Sequence, residues 1–244
     1  MRYGIIADIH GNLPALEEVL RVLAAADADT YLCLGDIVGY GARPNECCEL
    51  MRKLEAVCIR GNHEEAVLRV GFEDWFNPDA RACLIWTREQ LTEANREFLA
   101  SLPVSREVSD LTLCHGSLLD PNWYITSPEE ALPSLAAMSG ALAFFGHTHY
   151  AEWFVQTSPG QRPRQHHHPE GGVCRLAADH KYLVNPGAVG QPRDRNPEAA
   201  FAVYDEEAGR IELQRVPYDI TAAQEQMDVA GLPPAMALRL SLGT

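Results

Sequence analysis

The sequence predicts an α/β fold in which two β-sheets pack against each other and helices cover their outer faces. In the first 150 residues, short apolar runs ending in glycine alternate with segments of helical periodicity, which is typical of buried strands beside helices. In the last third, short strands separated by turn residues are typical of antiparallel sheet. The chain has 244 residues, 46% of them hydrophobic, and no visible linker, so one domain spanning 1–244 is expected.

The first half of the chain is predicted to alternate strands with helices. Asn12 is a suitable N-cap and Pro14 fits a first helical turn, so a helix is predicted from residue 13 to about 25. The predicted strands lie at residues 3–7, 31–34, 57–59, 105–108, 111–114 and 142–145. The other predicted helices lie at residues 44–53, 64–70, 78–91, about 93–102 and 128–138.

The C-terminal third has a different pattern. Strands are predicted at residues 153–156, 173–176, 182–184, 200–204 and 211–215, followed by a final helix at 220–229. Residues 157–172 are rich in proline, glycine and histidine and have no apolar period, so a mobile loop is expected there. The three consecutive histidines His166–His168 fall in this loop, and a catalytic role for them is not favoured.

Composition restricts the classes of function. The formal net charge is −14, which disfavours nucleic acid as a partner because nucleic-acid-binding proteins usually present a basic face. The seven scattered cysteines form no C-x-x-C pair, which indicates free thiols in a reducing compartment. No apolar stretch is long enough to span a membrane or to serve as a secretory signal. A cytoplasmic protein without a membrane partner is therefore predicted.

Metal-binding side chains follow five of the predicted strands at their ends. Ligands of α/β proteins collect beyond the carboxyl ends of the strands, so these side chains are expected to share one site. The candidate metal ligands are Asp8, His10, Asp36, Asn62, His115, His147 and His149. Seven donors exceed the needs of one tetrahedral ion and suffice for two divalent ions. The mixture of imidazole and carboxylate suits Mn, Fe, Zn, Co or Ni without selecting among them.

These residues fall into five short motifs that occur in the order of a known family. The motifs are Asp8-x-His10, Gly35-Asp36, Gly61-Asn62-His63-Glu64, His115-Gly116 and Gly146-His147-x-His149. Together they resemble the calcineurin-like metallophosphoesterase family. The resemblance implies a four-layer α/β/β/α sandwich of two mixed sheets flanked by helices. It also implies a first ion held by Asp8, His10, Asp36 and His149 and a second held by Asp36, Asn62, His115 and His147.

The resemblance further implies a catalytic role for His63, which in the family contacts the phosphoryl oxygen or protonates the leaving group. The second motif departs from that of the family's protein phosphatases, because Gly39 and Tyr40 stand where those enzymes have Asp and Arg. The sequence therefore looks closer to the small prokaryotic phosphodiesterase-like branch. Arg193, in a glycine-rich loop after the motifs, and Asn62 are the predicted substrate-binding residues.

The predicted function is metal-dependent hydrolysis of a phosphodiester in a small nucleotide-like substrate. A phosphomonoesterase is the alternative within the same chemistry. A non-catalytic interaction module on the same fold is the alternative outside it, although none of the candidate ligands is lost. A DNA nuclease is disfavoured because no basic groove or added DNA-binding domain is visible. A homo-oligomer is left open.

Overall fold

The computed structural model describes residues 1–244 and contains twelve strands and eight α-helices. The strands are β1 (Arg2–Ile6), β2 (Thr30–Cys33), β3 (Val57–Cys58), β4 (Ser105–Val108), β5 (Leu111–Cys114), β6 (Leu142–Phe144), β7 (Ala151–Gln156), β8 (Arg164–His167), β9 (Gly172–Arg175), β10 (Lys181–Pro186), β11 (Ala199–Asp205) and β12 (Arg210–Val216). The helices are α1 (Leu13–Ala25), α2 (Pro44–Lys53), α3 (Asn62–Leu68), α4 (Pro78–Gln90), α5 (Glu93–Ser101), α6 (Pro128–Ala137), α7 (Ile220–Val229) and α8 (Pro234–Leu242).

The strands form two six-stranded mixed sheets. The first has the order β3-β2-β1-β11-β12-β9, and its strands β1, β2 and β3 are parallel. The second has the order β4-β5-β6-β10-β7-β8, and its strands β5, β6 and β10 are parallel. Each sheet therefore contributes a set of parallel strands whose carboxyl ends carry the loops described below.

The alternation of side chains along each strand produces four layers. Ile5 belongs to a buried cluster between the two sheets, whereas its neighbour Ile6 packs with residues of α1 on the outer face. In the second sheet, Phe144 faces the first sheet and Phe145 packs against residues of α6. Helices thus cover both outer faces, and the expected α/β/β/α sandwich is confirmed.

One predicted loop is partly wrong. Residues 164–167 form β8, which pairs with β7 as an antiparallel edge strand, with Trp153 opposite His166. The strand escaped prediction because most of its side chains face solvent and it has no apolar period. The ring of His168 stacks on that of Trp153 at a centroid distance of 3.8 Å, so two of the three histidines pack beside one tryptophan.

Two further features of the C-terminal third differ from the prediction. Strand β10 is antiparallel to β7 but parallel to β6, so this part of the chain is not purely antiparallel. The predicted helix at 220–229 is present as α7, but it is not the last one, because α8 follows after a turn at Gly231. Met236 and Leu240 are the only buried side chains of α8, and two buried positions are too few for a helical period to be recognised in the sequence.

The cysteines agree with the prediction of free thiols, because all seven are free and buried. None of the helices combines the length and the apolar character that crossing a membrane requires.

A buried carboxyl group joins β7 to β8 and makes stability depend on pH. Glu152 is 1% exposed, and its Oε2 lies 2.8 Å from Nε2 of Gln165 and 3.1 Å from Nδ1 of His167. Burial raises the pKa of Glu152 to about 7; the hydrogen bond from Gln165 opposes the rise and the nearby charge of Asp194 adds to it. The folded protein therefore favours the neutral acid and binds its proton more tightly than the unfolded chain does. The free energy of unfolding consequently falls as the pH rises from about 4.5 through 7.

We expect Glu152→Gln to stabilise the protein at alkaline pH, because the amide mimics the neutral acid and keeps both neighbours on β8. The free energy of unfolding should rise by about 1–3 kcal/mol at pH 8 and by less at pH 5. Melting temperatures at the two pH values measure the effect, at about 2–4 °C per kcal/mol. Glu97→Gln, on the exposed side of α5, serves as the control. An equal gain at both pH values would contradict the explanation.

Candidate metal centre

The loops that leave the parallel strands of both sheets meet at one place. Asp8 and His10 follow β1, Asp36 follows β2, and Asn62 is the first residue of α3, the helix that follows β3. The second sheet supplies the remaining three residues, His115 after β5 and His147 and His149 after β6. The structure therefore brings together all seven candidate ligands predicted from the sequence.

Most of these residues have a backbone conformation that the sequence did not reveal. A left-handed φ is found at Asp8 (54°), His10 (51°), Asp36 (53°), His147 (69°) and His149 (64°). Such conformations cost roughly 1 kcal/mol or more each and persist at functional sites because the surrounding structure imposes them. The strand ends were visible in the sequence, but it is the left-handed turns after them that point successive side chains into one site.

The donor atoms form two outer groups that are linked by a third group, which consists of His10, Asp36 and His63. In the first group, Nε2 of His10 lies 3.1 Å from Nε2 of His149, which lies 3.5 Å from Oδ1 of Asp8. In the second group, Nε2 of His115 lies 3.3 Å from Oδ2 of Asp36, and the group also includes His147. Oδ2 of Asp36 is also 3.7 Å from Nε2 of His10, so this carboxylate lies between the groups.

Main-chain carbonyl groups fix the orientation of the histidine rings. The Nδ1 atoms of His10, His115 and His149 lie 3.3, 2.8 and 2.5 Å from the carbonyl oxygens of Val38, Leu34 and Gln191, respectively. A carbonyl oxygen only accepts, so each Nδ1 carries a proton. Each Nε2 consequently faces the centre, which is the arrangement that orients metal-binding imidazoles.

His147 has the opposite orientation. Its Nε2 lies 3.1 Å from the carbonyl oxygen of Asn122, so its Nδ1 is the atom left for the centre. The ring also stacks on Tyr124 at a centroid distance of 4.0 Å. Asn62 completes this side, with Oδ1 2.9 Å from Nε2 of His115.

The electrostatics of the site favour cations. Burial lowers the pKa of His10 and of His149 well below the usual value, so both rings are neutral. Their Nε2 lone pairs then face each other at 3.1 Å, an arrangement that a cation between them would stabilise. Burial acts in the same direction on His115, but Asp36 outweighs it and raises the pKa of His115 to about 9. A proton on this ring and a metal ion compete for the same lone pair. The donor set thus fits two divalent ions.

A carboxylate beneath the centre was named in the sequence analysis only as part of a motif. Glu64 is fully buried and accepts hydrogen bonds from the main-chain nitrogens of Asp36 (2.7 Å), Val38 (3.1 Å) and Gly61 (2.8 Å). It therefore ties the loop after β2 to the start of α3 and fixes the position of Asp36. Its place three residues after Gly61, as in a helix capping box, was the available sequence signal.

His63 lies beside the two outer groups of donors and forms the linking group with His10 and Asp36. Its Nε2 is 4.0 Å from Oδ2 of Asp36, and its Nδ1 is buried without a hydrogen-bond partner. The ring packs edge-on against His10, Tyr40 and Phe76. Burial lowers the pKa of His63 to about 4. Glu64, its neighbour in sequence, points away from it toward the loop after β2.

A cleft of about 330 Å³ opens above the centre and contains Arg193. The hydrogen-bond partners of the Arg193 guanidinium are both neutral. Its Nη2 donates to Tyr40 Oη at 3.2 Å and to Gln191 Oε1 at 3.3 Å. A second lobe of about 490 Å³ adjoins it and is walled by aromatic rings. The lobe is lined by Asn62, Phe72, Trp75, Phe76, Asp120, Asn122, Tyr124 and His147.

Two other basic residues, Arg43 and Arg60, and the histidines of β8 lie outside the cleft. Arg43 forms an exposed ion pair with Glu46 at 3.1 Å, and Arg60 forms a half-buried one with Glu65 at 3.4 Å. The histidines of β8 belong to none of the three groups of side chains placed to hold an ion. The sequence offered no signal for Tyr124 beyond its place after a motif and none for Arg239, which also lines the cleft.

Comparison with known proteins assigns the chain to a family. Residues 1–209 match the profile described as the calcineurin-like phosphoesterase superfamily domain. The chain belongs to this superfamily. The resemblance recognised in the sequence is thereby confirmed, and the buried His and Asp groups are those of a metallophosphoesterase.

Individual relatives agree with this assignment. The uncharacterized protein MJ0912 of Methanocaldococcus jannaschii is 37% identical over 245 residues, which cover 98% of this chain and 97% of that protein. The crystal structure of a metallophosphoesterase from Sphaerobacter thermophilus, 40% identical, superposes over 100% of both chains with a TM-score of 0.90. The phosphodiesterase YfcE of Escherichia coli is 31% identical over 77 residues, 28% of this chain and 42% of that protein. These matches place the phosphoesterase in the small prokaryotic branch.

A structural reason explains why this phosphoesterase has Gly39 where the protein phosphatases of the family have Asp. Gly39 has φ of +141°, and a Cβ atom there would overlap His63 Nδ1 and lie 2.9 Å from His10 Nδ1. The rings of the two histidines occupy the space that a side chain at position 39 would need. The second Asp of the protein-phosphatase motif therefore has no room in this arrangement.

We expect Gly39→Ala to lower phosphoesterase activity by about 10- to 100-fold, because the added methyl group displaces the His10 and His63 rings. Activity and bound-metal content should fall together, since His10 belongs to the first group of donors. Gly160→Ala is a matched control, because Gly160 also has a positive φ (+73°) but its Cβ would meet nothing within 4 Å. Full activity of the Gly39 variant with both ions bound would contradict this reading of the contacts.

Proposed function

We propose that the protein is a phosphodiesterase that holds two divalent ions and acts on a small nucleotide-like substrate. The observation that carries the proposal is that two buried groups of donor atoms, linked through Asp36, open into a cleft containing an arginine and an aromatic wall. A shared carboxylate suits a pair of ions, because its two oxygens have about four lone-pair sites.

In this proposal each group of donors holds one ion. The first ion is held by Asp8, His10, Asp36 and His149, and the second by Asp36, Asn62, His115 and His147. Bound ions of this kind supply positive charge to the phosphoryl oxygens and lower the pKa of water. Mn, Fe, Zn, Co or Ni are the metals that fit the donors. The free thiols fit a reducing compartment, and a cytoplasmic location stays a prediction.

Two side chains of the cleft act on the substrate in this proposal. His63 is neutral and is not needed as a ligand, and its Nε2 faces the centre. The hydrogen on Nε2 of the neutral ring is placed to bond a phosphoryl oxygen, whereas transfer of a proton to the leaving oxygen requires the imidazolium form, which the negative charge of a bound phosphate favours. Arg193 pairs with no carboxylate, so its guanidinium is available to phosphate. The Asn62 amide lines the same cleft.

The aromatic lobe supports a substrate that carries a ring. Trp75 is 86% exposed in a short 3-10 turn that precedes α4, and Phe76 and Tyr124 line the same lobe. Exposed aromatic faces beside a phosphate site are suited to stacking on a nucleobase or an aryl group. A nucleotide therefore fits the cleft, with phosphate at the donors and base in the lobe.

An activity matrix tests the proposal. The metal-stripped protein would be reconstituted with Mn, Fe, Zn, Co or Ni and assayed on a bis-aryl phosphate, an aryl phosphate, cyclic nucleotides and dinucleoside polyphosphates. We expect metal-dependent turnover with higher kcat/KM on diesters than on the monoester. A preference for the aryl phosphate would identify a phosphomonoesterase, and no turnover with any ion would reject the proposal.

A further inference from the structure

The C-terminal helix contributes a second arginine to the cleft. Arg239 of α8 lines the same cavity as Asp36, His149 and Arg193. Its Nε donates a hydrogen bond to the main-chain oxygen of Thr244 at 2.6 Å, and its Nη1 lies 4.0 Å from Sδ of Met236. Residue 239 lies beyond residues 1–209, the part of the chain that matches the superfamily. The candidate metal ligands lie within those residues, whereas this arginine does not.

The two arginines of the cleft pair with no acidic side chain. Neither Arg193 nor Arg239 forms an ion pair with an Asp or Glu, although the chain carries a net charge of −14. Asp36, at the floor, is the only carboxylate that lines this cavity. Burial lowers the pKa of Arg239, and the charge of Arg193 lowers it further, so the two guanidinium groups lie close enough to repel each other.

One donor of Arg193 also lacks a partner. Its Nε is buried and makes no hydrogen bond, while its Nη2 is held by Tyr40 and Gln191. A buried donor left unpaired costs about 1–3 kcal/mol. Two like charges without an acidic side-chain partner and one unsatisfied donor around a single cavity are the features of a preorganised anion site.

We propose that Arg193 and Arg239 together bind a second phosphate, joined through a bridging oxygen to the phosphate at the metal centre. The inference rests on the proposed function and narrows its substrate class. It assigns the enzyme to nucleotides that contain a pyrophosphate linkage, such as dinucleoside polyphosphates, in preference to those with one isolated diester, such as cyclic nucleotides. The ions would neutralise one phosphate, and the arginine pair would neutralise its neighbour.

Binding by the metal-free protein tests this site without any turnover. Calorimetric titration with ADP and AMP compares two ligands that differ by one phosphate. We expect the wild-type protein to bind ADP about ten-fold or more tightly than AMP, and Arg239→Gln to reduce this preference to about two-fold. Arg21→Gln, which removes the same charge from an exposed site on α1, should leave the preference unchanged. An equal affinity of the wild-type protein for ADP and AMP would overturn the inference.

Kinetics of the metal-loaded enzyme provide the second test. For Arg239→Gln, we expect kcat/KM to fall at least about ten-fold more on a dinucleoside polyphosphate than on a bis-aryl phosphate, mainly through KM. If Arg239→Gln does not fold, Arg239→Lys, which keeps the charge without the guanidinium fork, should show a smaller loss in the same direction. Equal losses on both substrates would overturn the inference while leaving the proposed function intact. Absence of turnover on every substrate would instead reject the proposed function, and the ADP preference would still be decided by binding.

Discussion

Replacement of Asp36 with Asn is expected to abolish most of the phosphoesterase activity and to release both ions. The Asp36 carboxylate lies between the two groups of donors, 3.7 Å from His10 Nε2 and 3.3 Å from His115 Nε2. An amide offers one acceptor oxygen and no charge, so neither ion would retain its shared ligand. Loss of several kcal/mol of charge stabilisation corresponds to a fall in kcat/KM of about 10³-fold or more.

The fold should survive this substitution. Oδ1 of Asp36 accepts a hydrogen bond from the main-chain nitrogen of His63 at 2.9 Å, and an Asn oxygen can accept the same bond. Metal content after dialysis, melting temperature and activity on a bis-aryl phosphate are the measurements. Asp179→Asn, in an exposed turn between β9 and β10, is the control for the change in charge. A variant that keeps two equivalents of metal and normal activity would show that Asp36 does not bridge the ions.

The strands and the identity of the candidate ligands were accessible from the sequence for a common reason. Buried strands of a sandwich are apolar on both faces, so they appear as continuous runs, and their ends are marked by glycine. Asp36 after the run at 31–34 and His115 after the run at 111–114 are examples. Polar residues at such positions are conspicuous, because the adjoining side chains are all apolar.

The parts that escaped prediction depend on contacts between distant segments. Strand β8 has mostly exposed polar side chains, and only its pairing with β7 makes it a strand. The ring orientation of His149 is set by the carbonyl oxygen of Gln191, which no periodicity reveals. Arg239 reaches the cleft from α8, more than 200 residues after Asp36 in the chain. Sequence patterns report local burial, whereas these features arise from tertiary packing.

Replacement of His63 with Gln is expected to lower kcat by about 10²- to 10⁴-fold while both ions stay bound. His63 Nε2 is 4.0 Å from Asp36 Oδ2, and the ring is held by neighbouring aromatic groups, so each ion keeps its proposed ligands without it. KM should change little, because Arg193 and the aromatic lobe remain. The comparison with Asp36→Asn is decisive, because His63→Gln should lose activity but keep both ions, whereas Asp36→Asn should lose both activity and metal.

Dependence on the leaving group identifies what the His63 proton does. If Nε2 protonates the leaving oxygen, the loss of kcat should be greater for an alkyl ester than for a 4-nitrophenyl ester, whose leaving group needs no proton. If Nε2 bonds a phosphoryl oxygen, the loss should be the same for both esters. His180→Gln, on the turn before β10, is the control histidine. Loss of metal in parallel with activity would mean that His63 is a ligand, and the division of the site into two groups of donors beside a separate histidine would have to be redrawn.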